Sequence, residues 1–276
     1  DKRNAEGEAL GWLNFNRALA KSDNVYFYEM GNRVGIENLD KYAAYFGIGE
    51  KTGINLPGEA SGIMASPEYK RKVYDEDWYL GETFDAAIGQ SFTLVTPLQM
   101  AVLLSEVANG GIKYKPYVVS RIDNKDGTPK EIFGPDKLGI LPVPKNIMDL
   151  IREGLRDVTN EGGTAGDLFK GFPINVAGKT GTAENAHGRD HGWFVAYAPY
   201  DKPQIVVVAL VEQGSFGAGS AGPIVRDVLA AYFNVPLNKK TNDTNTKSNK
   251  DSATVGNTSN GQKPQNAVTS GQPRKD

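Results

Sequence analysis

Two short stretches carry residue types that can do chemistry. Ser22-Asp23-Asn24 offers a hydroxyl, a carboxylate and a carboxamide in a row. Gly178-Lys179-Thr180-Gly181-Thr182 offers an amine and two hydroxyls between glycines. Thr180 and Thr182 can hydrogen-bond a carboxylate, and Lys179 supplies positive charge beside them. The stretch lies in a segment that reads as a strand, where glycine weakens the element unless something approaches its backbone closely. An open edge there can take an extended peptide by strand addition. Each stretch also has a plain reading. Ser, Asp and Asn are favoured helix caps, and a lysine on an edge strand is ordinarily solvated.

The surrounding elements follow from periodicity and punctuation. Helical patterns cover 12–20, a segment from 25 to about 31, and 37–46, the last closing on Gly47. Residues 48–95 read as irregular. Thr96-Pro97-Leu98-Gln99 predicts a capped helix running to about Asn109. Strands are predicted over 117–122 and 131–133. Ile147, Leu150, Ile151, Leu155 and Val158 mark one face of a helix. Three strands are then expected over 174–184, 191–198 and 204–212, the last two joined by Pro199-Tyr200-Asp201-Lys202-Pro203. Ile224, Val225, Val228, Leu229 and Tyr232 make a closing amphipathic helix. The result is an α+β fold, an antiparallel sheet flanked by helices.

Composition narrows the function classes. Among 276 residues, 31 Lys and Arg face 33 Asp and Glu, without the basic excess of a general nucleic-acid binder. With no cysteine, disulfides, thiolate zinc sites and a cysteine nucleophile are excluded from these residues. The longest apolar run, 205–211, is too short to span a bilayer. Residues 1–20 hold no signal-peptide core, and the sequence begins without Met, so a fragment or processed product is expected. From 238 to 276 only Ala253, Val255, Ala267 and Val268 are apolar, so a folded portion over 1–237 and a disordered tail over 238–276 are expected.

Ser-x-Asn followed by Lys-Thr-Gly on a strand, with a Ser-x-x-Lys, is the motif set of penicillin-binding proteins and serine β-lactamases. Ala87-Ile88-Gly89-Gln90-Ser91 before Thr96-Pro97-Leu98-Gln99 adds to it, as do Gly47-Ile48-Gly49, Thr52-Gly53-Ile54-Asn55-Leu56-Pro57-Gly58-Glu59 and Gly192-Trp193-Phe194-Val195-Ala196-Tyr197-Ala198-Pro199. The chain resembles the C-terminal part of a class B penicillin-binding protein transpeptidase domain over roughly Leu10 to Phe233. Residues 62–81 are most similar to the elongation-type members. One departure stands out: none of the serines is followed by Lys three residues on. The resemblance places that nucleophile, its lysine and the early strands of the sheet outside these residues.

The resemblance implies a peptidoglycan D,D-transpeptidase that β-lactams acylate, acting on the D-Ala-D-Ala end of stem peptides. It implies no cofactor and no metal, an extracytoplasmic position through an N-terminal anchor outside this sequence, and a glycan-polymerising membrane partner. Ser22, Asn24 and Lys179 would be catalytic. Ser22 would relay a proton toward the leaving D-alanine, and Asn24 would hydrogen-bond substrate or hold the missing lysine. Thr180, Gly181 and Thr182 would bind substrate, with the Thr182 N–H as an oxyanion donor. The alternatives are a D,D-carboxypeptidase, with water as acceptor, and a β-lactam-sensing receptor domain that does not turn over. The isolated chain is expected to be inactive.

Two further patterns are read as structural. Gly217-Ala218-Gly219-Ser220-Ala221-Gly222 matches a dinucleotide fingerprint, but no second strand follows the helix, so a glycine-rich strand-to-helix turn is expected and no nucleotide. His187 and His191 lie in a connection with no helix to align them, so exposed loop histidines are expected rather than a metal site.

Overall fold

In a computed structural model of the protein, residues 10–236 are described. The expected tail over 238–276 lies outside them. Helix α1 (Phe15–Lys21) is capped by Asn14, whose Oδ1 accepts the Arg17 N–H at 2.9 Å. It therefore starts later than the predicted 12, and Trp12 stands fully exposed. Helix α2 (Asn24–Val34) follows after two residues, with Asp23 Oδ1 accepting the Tyr26 N–H at 2.7 Å. Helix α3 (Ile36–Tyr45) closes before Gly47, in the predicted place.

Residues 48–95 are not wholly irregular. They hold α4 (Pro67–Tyr74) and α5 (Leu80–Ala87). Ser66 Oγ caps α4 by accepting the Tyr69 N–H at 3.1 Å, and Glu82 accepts the Tyr79 N–H at 2.7 Å ahead of α5. Lys70 of α4 is buried and paired with Glu82 of α5 at 2.6 Å. Likewise α2 does not stop at Gly31. A Cβ there would lie 2.5 Å from the Ala87 Cβ of α5, so this glycine lets two helices approach rather than ending one.

Helix α6 (Pro97–Ala108) begins on the expected capping box: Thr96 Oγ1 accepts the Gln99 N–H at 3.1 Å and Gln99 Oε1 accepts the Thr96 N–H at 2.8 Å. The two strands predicted next are corrected to four short ones, β1 (Ile112–Lys115), β2 (Arg121–Asp123), β3 (Pro129–Ile132) and β4 (Asp136–Ile140). They form two antiparallel pairs, β1 with β4 and β2 with β3. Helix α7 (Lys145–Thr159) and the short α8 (Gly166–Phe169) lead into β5 (Ala177–Ala183), β6 (His191–Ala198) and β7 (Ile205–Val211). Helix α9 (Gly217–Tyr232) closes the described chain.

The central sheet is antiparallel in the order β5-β6-β7. On one face, Phe194, Ala196 and Val207 pack against Ala221, Val225 and Leu229 of α9. On the other, Val195, Tyr197 and Val208 pack against Leu104 of α6 and Met148 and Leu155 of α7. A strand covered on both faces reads as a continuous apolar run, which accounts for 205–211. Lys179 pairs in register with Val195 and so lies on the α7 face, and α1 packs on α7. That packing is what brings the end of α1 to β5. Among the described residues no helix is long and apolar enough to cross a membrane.

Candidate active site

Ser22 is the C-terminal cap of α1, with φ 52° and ψ 47°. A left-handed serine costs about 1–2 kcal/mol, and such conformations collect where function demands them. Its backbone is held by hydrogen bonds back into α1, while Asp23 N–H donates to Ala18 O at 3.0 Å. Asp23 is spent on capping α2, which leaves Ser22 and Asn24 to face the cavity beyond. Ser22-Asp23-Asn24 is thus both a double cap and a cavity wall; the two readings coexist.

Lys179 Nζ donates to Ser22 Oγ at 2.8 Å and to the Thr180 carbonyl at 2.9 Å. The two stretches, 157 residues apart in the chain, meet at one point. Burial pushes the Lys179 ammonium down to about 8 from its usual 10.5. At neutral pH the group is therefore still mostly charged, with one N–H left beyond the two it donates.

Above this pair lies an open cavity of about 610 Å³ lined by Ser22, Asn24, Lys179, Thr180, Gly181 and Thr182. Every sequence-predicted site residue is thus on its wall. Thr180 Oγ1 is 3.0 Å from Thr164 Oγ1 of the α7–α8 connection, and Thr164 N–H donates to Ala20 O at 3.1 Å, so that connection ties α1 to β5. Thr182 is exposed at the mouth. Among the described residues β5 pairs only with β6, which leaves its other edge open toward the cavity. Gly178 serves the paired side instead: a Cβ there would meet Val195 O at 2.5 Å.

The same wall includes residues that sequence reasoning did not single out as site residues: Gln90, Phe27, Thr164, Asp190 and Phe216. Gln90 was legible only as part of a family segment. Phe216 is an exposed aromatic just before α9. The glycine pattern after β7 forms the first turns of α9 rather than a turn before it, and a Cβ on Gly217 would strike Trp193 O and Gly181 O at 2.2 and 2.3 Å. Close helix–sheet packing accounts for that glycine. His191 Nδ1 accepts the Gln213 N–H at 3.0 Å, a structural use of the ring.

The arrangement presents an ammonium touching a hydroxyl, two further hydroxyls, and an open strand edge beside them. It can bind a carboxylate-ended extended peptide and move a proton at the Ser22 oxygen. Among the described residues, the Ser22 hydroxyl meets Lys179 and neither a histidine nor a second lysine.

Residues 2–230 match the family described as the penicillin binding protein transpeptidase domain. The peptidoglycan D,D-transpeptidase MrdA of Escherichia coli K12 is 34% identical over 236 residues, 79% of this chain and 37% of that protein. Pseudomonas aeruginosa PBP2, solved in complex with WCK 5153, is 35% identical with a TM-score of 0.74, over 83% of this chain and 51% of that one. Helicobacter pylori PBP2, solved in complex with MreC, is 33% identical with a TM-score of 0.69, over 80% of this chain and 40% of that one. The chain spans little more than a third of the length of the curated relatives it matches. It belongs to the penicillin-binding protein transpeptidase family, with the α+β fold of that family's transpeptidase domains.

Proposed function

We propose that the protein carrying this chain is a peptidoglycan D,D-transpeptidase, and that the cavity over β5 is the larger part of its active site. The observation that carries this is the 2.8 Å contact between Lys179 Nζ and Ser22 Oγ beneath the open edge of β5. The nucleophile is the Ser of a Ser-x-x-Lys outside residues 1–276. It attacks the penultimate D-Ala carbonyl of a stem peptide, and the terminal D-alanine departs. Ser22 relays the proton that the leaving amine takes up. Lys179 holds Ser22 and attracts the substrate carboxylate, which the Thr180 and Thr182 hydroxyls bind, with Gly181 letting the peptide lie close. The Thr182 N–H is one oxyanion donor. Asn24 holds the substrate or the upstream lysine. An amine on a second stem then takes the acyl group. No cofactor enters these steps.

The whole protein acts at the extracytoplasmic face, through an anchor outside this sequence, beside a glycan-polymerising membrane partner. The complex of Helicobacter pylori PBP2 with MreC, and a similar chain solved in a peptidoglycan synthase complex that coordinates polymerization and crosslinking, support a partnered assembly for this protein too. The chain by itself is inactive.

The test uses the full-length protein. It should be labelled by a fluorescent penicillin and should form cross-linked products from stem peptides with an acceptor amine. Labelling with only trimmed products would make it a carboxypeptidase. A stable adduct with no turnover would make it a receptor. No labelling at all would overturn the proposal.

A further inference from the structure

Gln90 occupies the edge that a peptide would use. Its Nε2 donates to the Thr182 carbonyl at 3.3 Å and its Oε1 accepts the Glu184 N–H at 3.4 Å. These two backbone groups bracket Ala183 at the open edge of β5, four residues along the strand from Lys179. A side-chain carboxamide offers one acceptor and an N–H donor, the same pair that a peptide unit offers to a strand edge. Both bonds are longer than the ~2.9–3.0 Å common for N–H···O contacts, so they are weak enough to exchange.

The backbone around Gln90 is fixed while its side chain is the part that can turn. The Gln90 N–H donates to Asp85 O at 2.9 Å and the Gly89 N–H to Ala86 O at 3.0 Å, which lock the turn onto the end of α5. On either side of Gln90, Gly89 (φ 81°) and Ser91 (φ 64°) are left-handed. Ser91 adopts this conformation without being glycine, which is uncommon. The pair of turns aims a single side chain at the edge strand from an element 92 residues away in sequence.

We infer that Gln90 is a displaceable plug: its carboxamide pairs with Thr182 and Glu184 in the empty site, and an extended peptide or the side-chain amide of a penicillin must displace it to dock on β5. Gln90 therefore sets how readily an amide-bearing ligand enters, whereas a ligand with no amide to pair with the Thr182 carbonyl leaves the plug in place. This rests on the transpeptidase reading above.

The experiment measures acylation of the full-length protein by benzylpenicillin over a range of concentrations. Gln90→Ala should raise the efficiency at low concentration about threefold to tenfold, the worth of one or two weak neutral hydrogen bonds. The gain should lie in the half-saturating concentration rather than the limiting rate. Gln90→Asn, one methylene shorter, cannot bracket Ala183 and should behave alike. A penam without an amide side chain should gain less than benzylpenicillin from either change. Normal wild-type acylation with no gain, or a loss, in both variants would overturn the plug alone. A wild-type protein that takes no penicillin would overturn the transpeptidase reading and the plug with it.

Discussion

The central sheet has two free edges among the described residues, and they are built from opposite materials. β5 reads Ala-Gly-Lys-Thr-Gly-Thr-Ala, with hydroxyls, a lysine and two glycines; β7 reads Ile-Val-Val-Val-Ala-Leu-Val, all apolar. The β5 edge is held by side chains, Lys179 on the Thr180 carbonyl and Gln90 on the Thr182 carbonyl. Such contacts can be exchanged for a ligand. An unpaired apolar strand is instead a template for aggregation unless another strand covers it. On our reading, one edge is made to change partners during turnover. The other is made for a permanent partner, an upstream strand that travels with the nucleophile.

Breaking the β5 side should cost reaction. Lys179→Ala in the full-length protein should lower penicillin acylation by roughly 100-fold or more, as for loss of a preorganised electrostatic group, measured by stopped-flow or gel fluorescence. The pH profile sharpens the point. Because burial lowers Lys179 to about 8, the ammonium is intact below that pH and is lost above it. Acylation by a carboxylate-bearing penicillin should therefore fall about tenfold per pH unit above that value. In Lys179→Arg, whatever activity remains should show no such limb up to pH 10, because guanidinium stays charged.

Smaller changes should separate the two edges. Thr182→Val keeps the shape and removes one hydroxyl. It should weaken recognition of carboxylate-bearing ligands by about tenfold, the worth of one hydrogen bond to a charged group, and leave thermal stability unchanged. Val207→Ala on β7 should do the reverse. It thins the packing against α9 and should cost about 1–2 kcal/mol of stability by denaturant titration, with the limiting acylation rate within about twofold of wild type. Substitutions that moved both quantities equally would erase the contrast.

What was legible in the sequence was local or periodic. Thr96 and Gln99 announce their capping box because both partners lie within one helical turn. The apolar runs announce β6 and β7, and the Ser22 and Lys179 stretches announce themselves as paired motifs. What was hidden depends on tertiary neighbours. Helices α4 and α5 were missed because what joins them, Lys70 on Glu82, is a contact between elements. Gly31 looks like a stop until Ala87 lies against it. Gln90 carries no local sign that it will reach Thr182. Glu106, deep in α6 with burial pushing its carboxyl up to about 7, looks like any helical acid in sequence, yet its Oε2 has no hydrogen-bond partner among the described residues. Burial alone therefore does not mark a site. Lys179 differs because its partners converge on it beside an open edge.

The most direct measurement locates the covalent bond. Full-length protein is acylated with penicillin, digested, and the adduct mapped by mass spectrometry. The account predicts an adduct on the serine of a Ser-x-x-Lys outside residues 1–276, strongly reduced in Lys179→Ala, and no adduct on the isolated 276-residue chain. An adduct on Ser22, or on any other residue within 1–276, would contradict it.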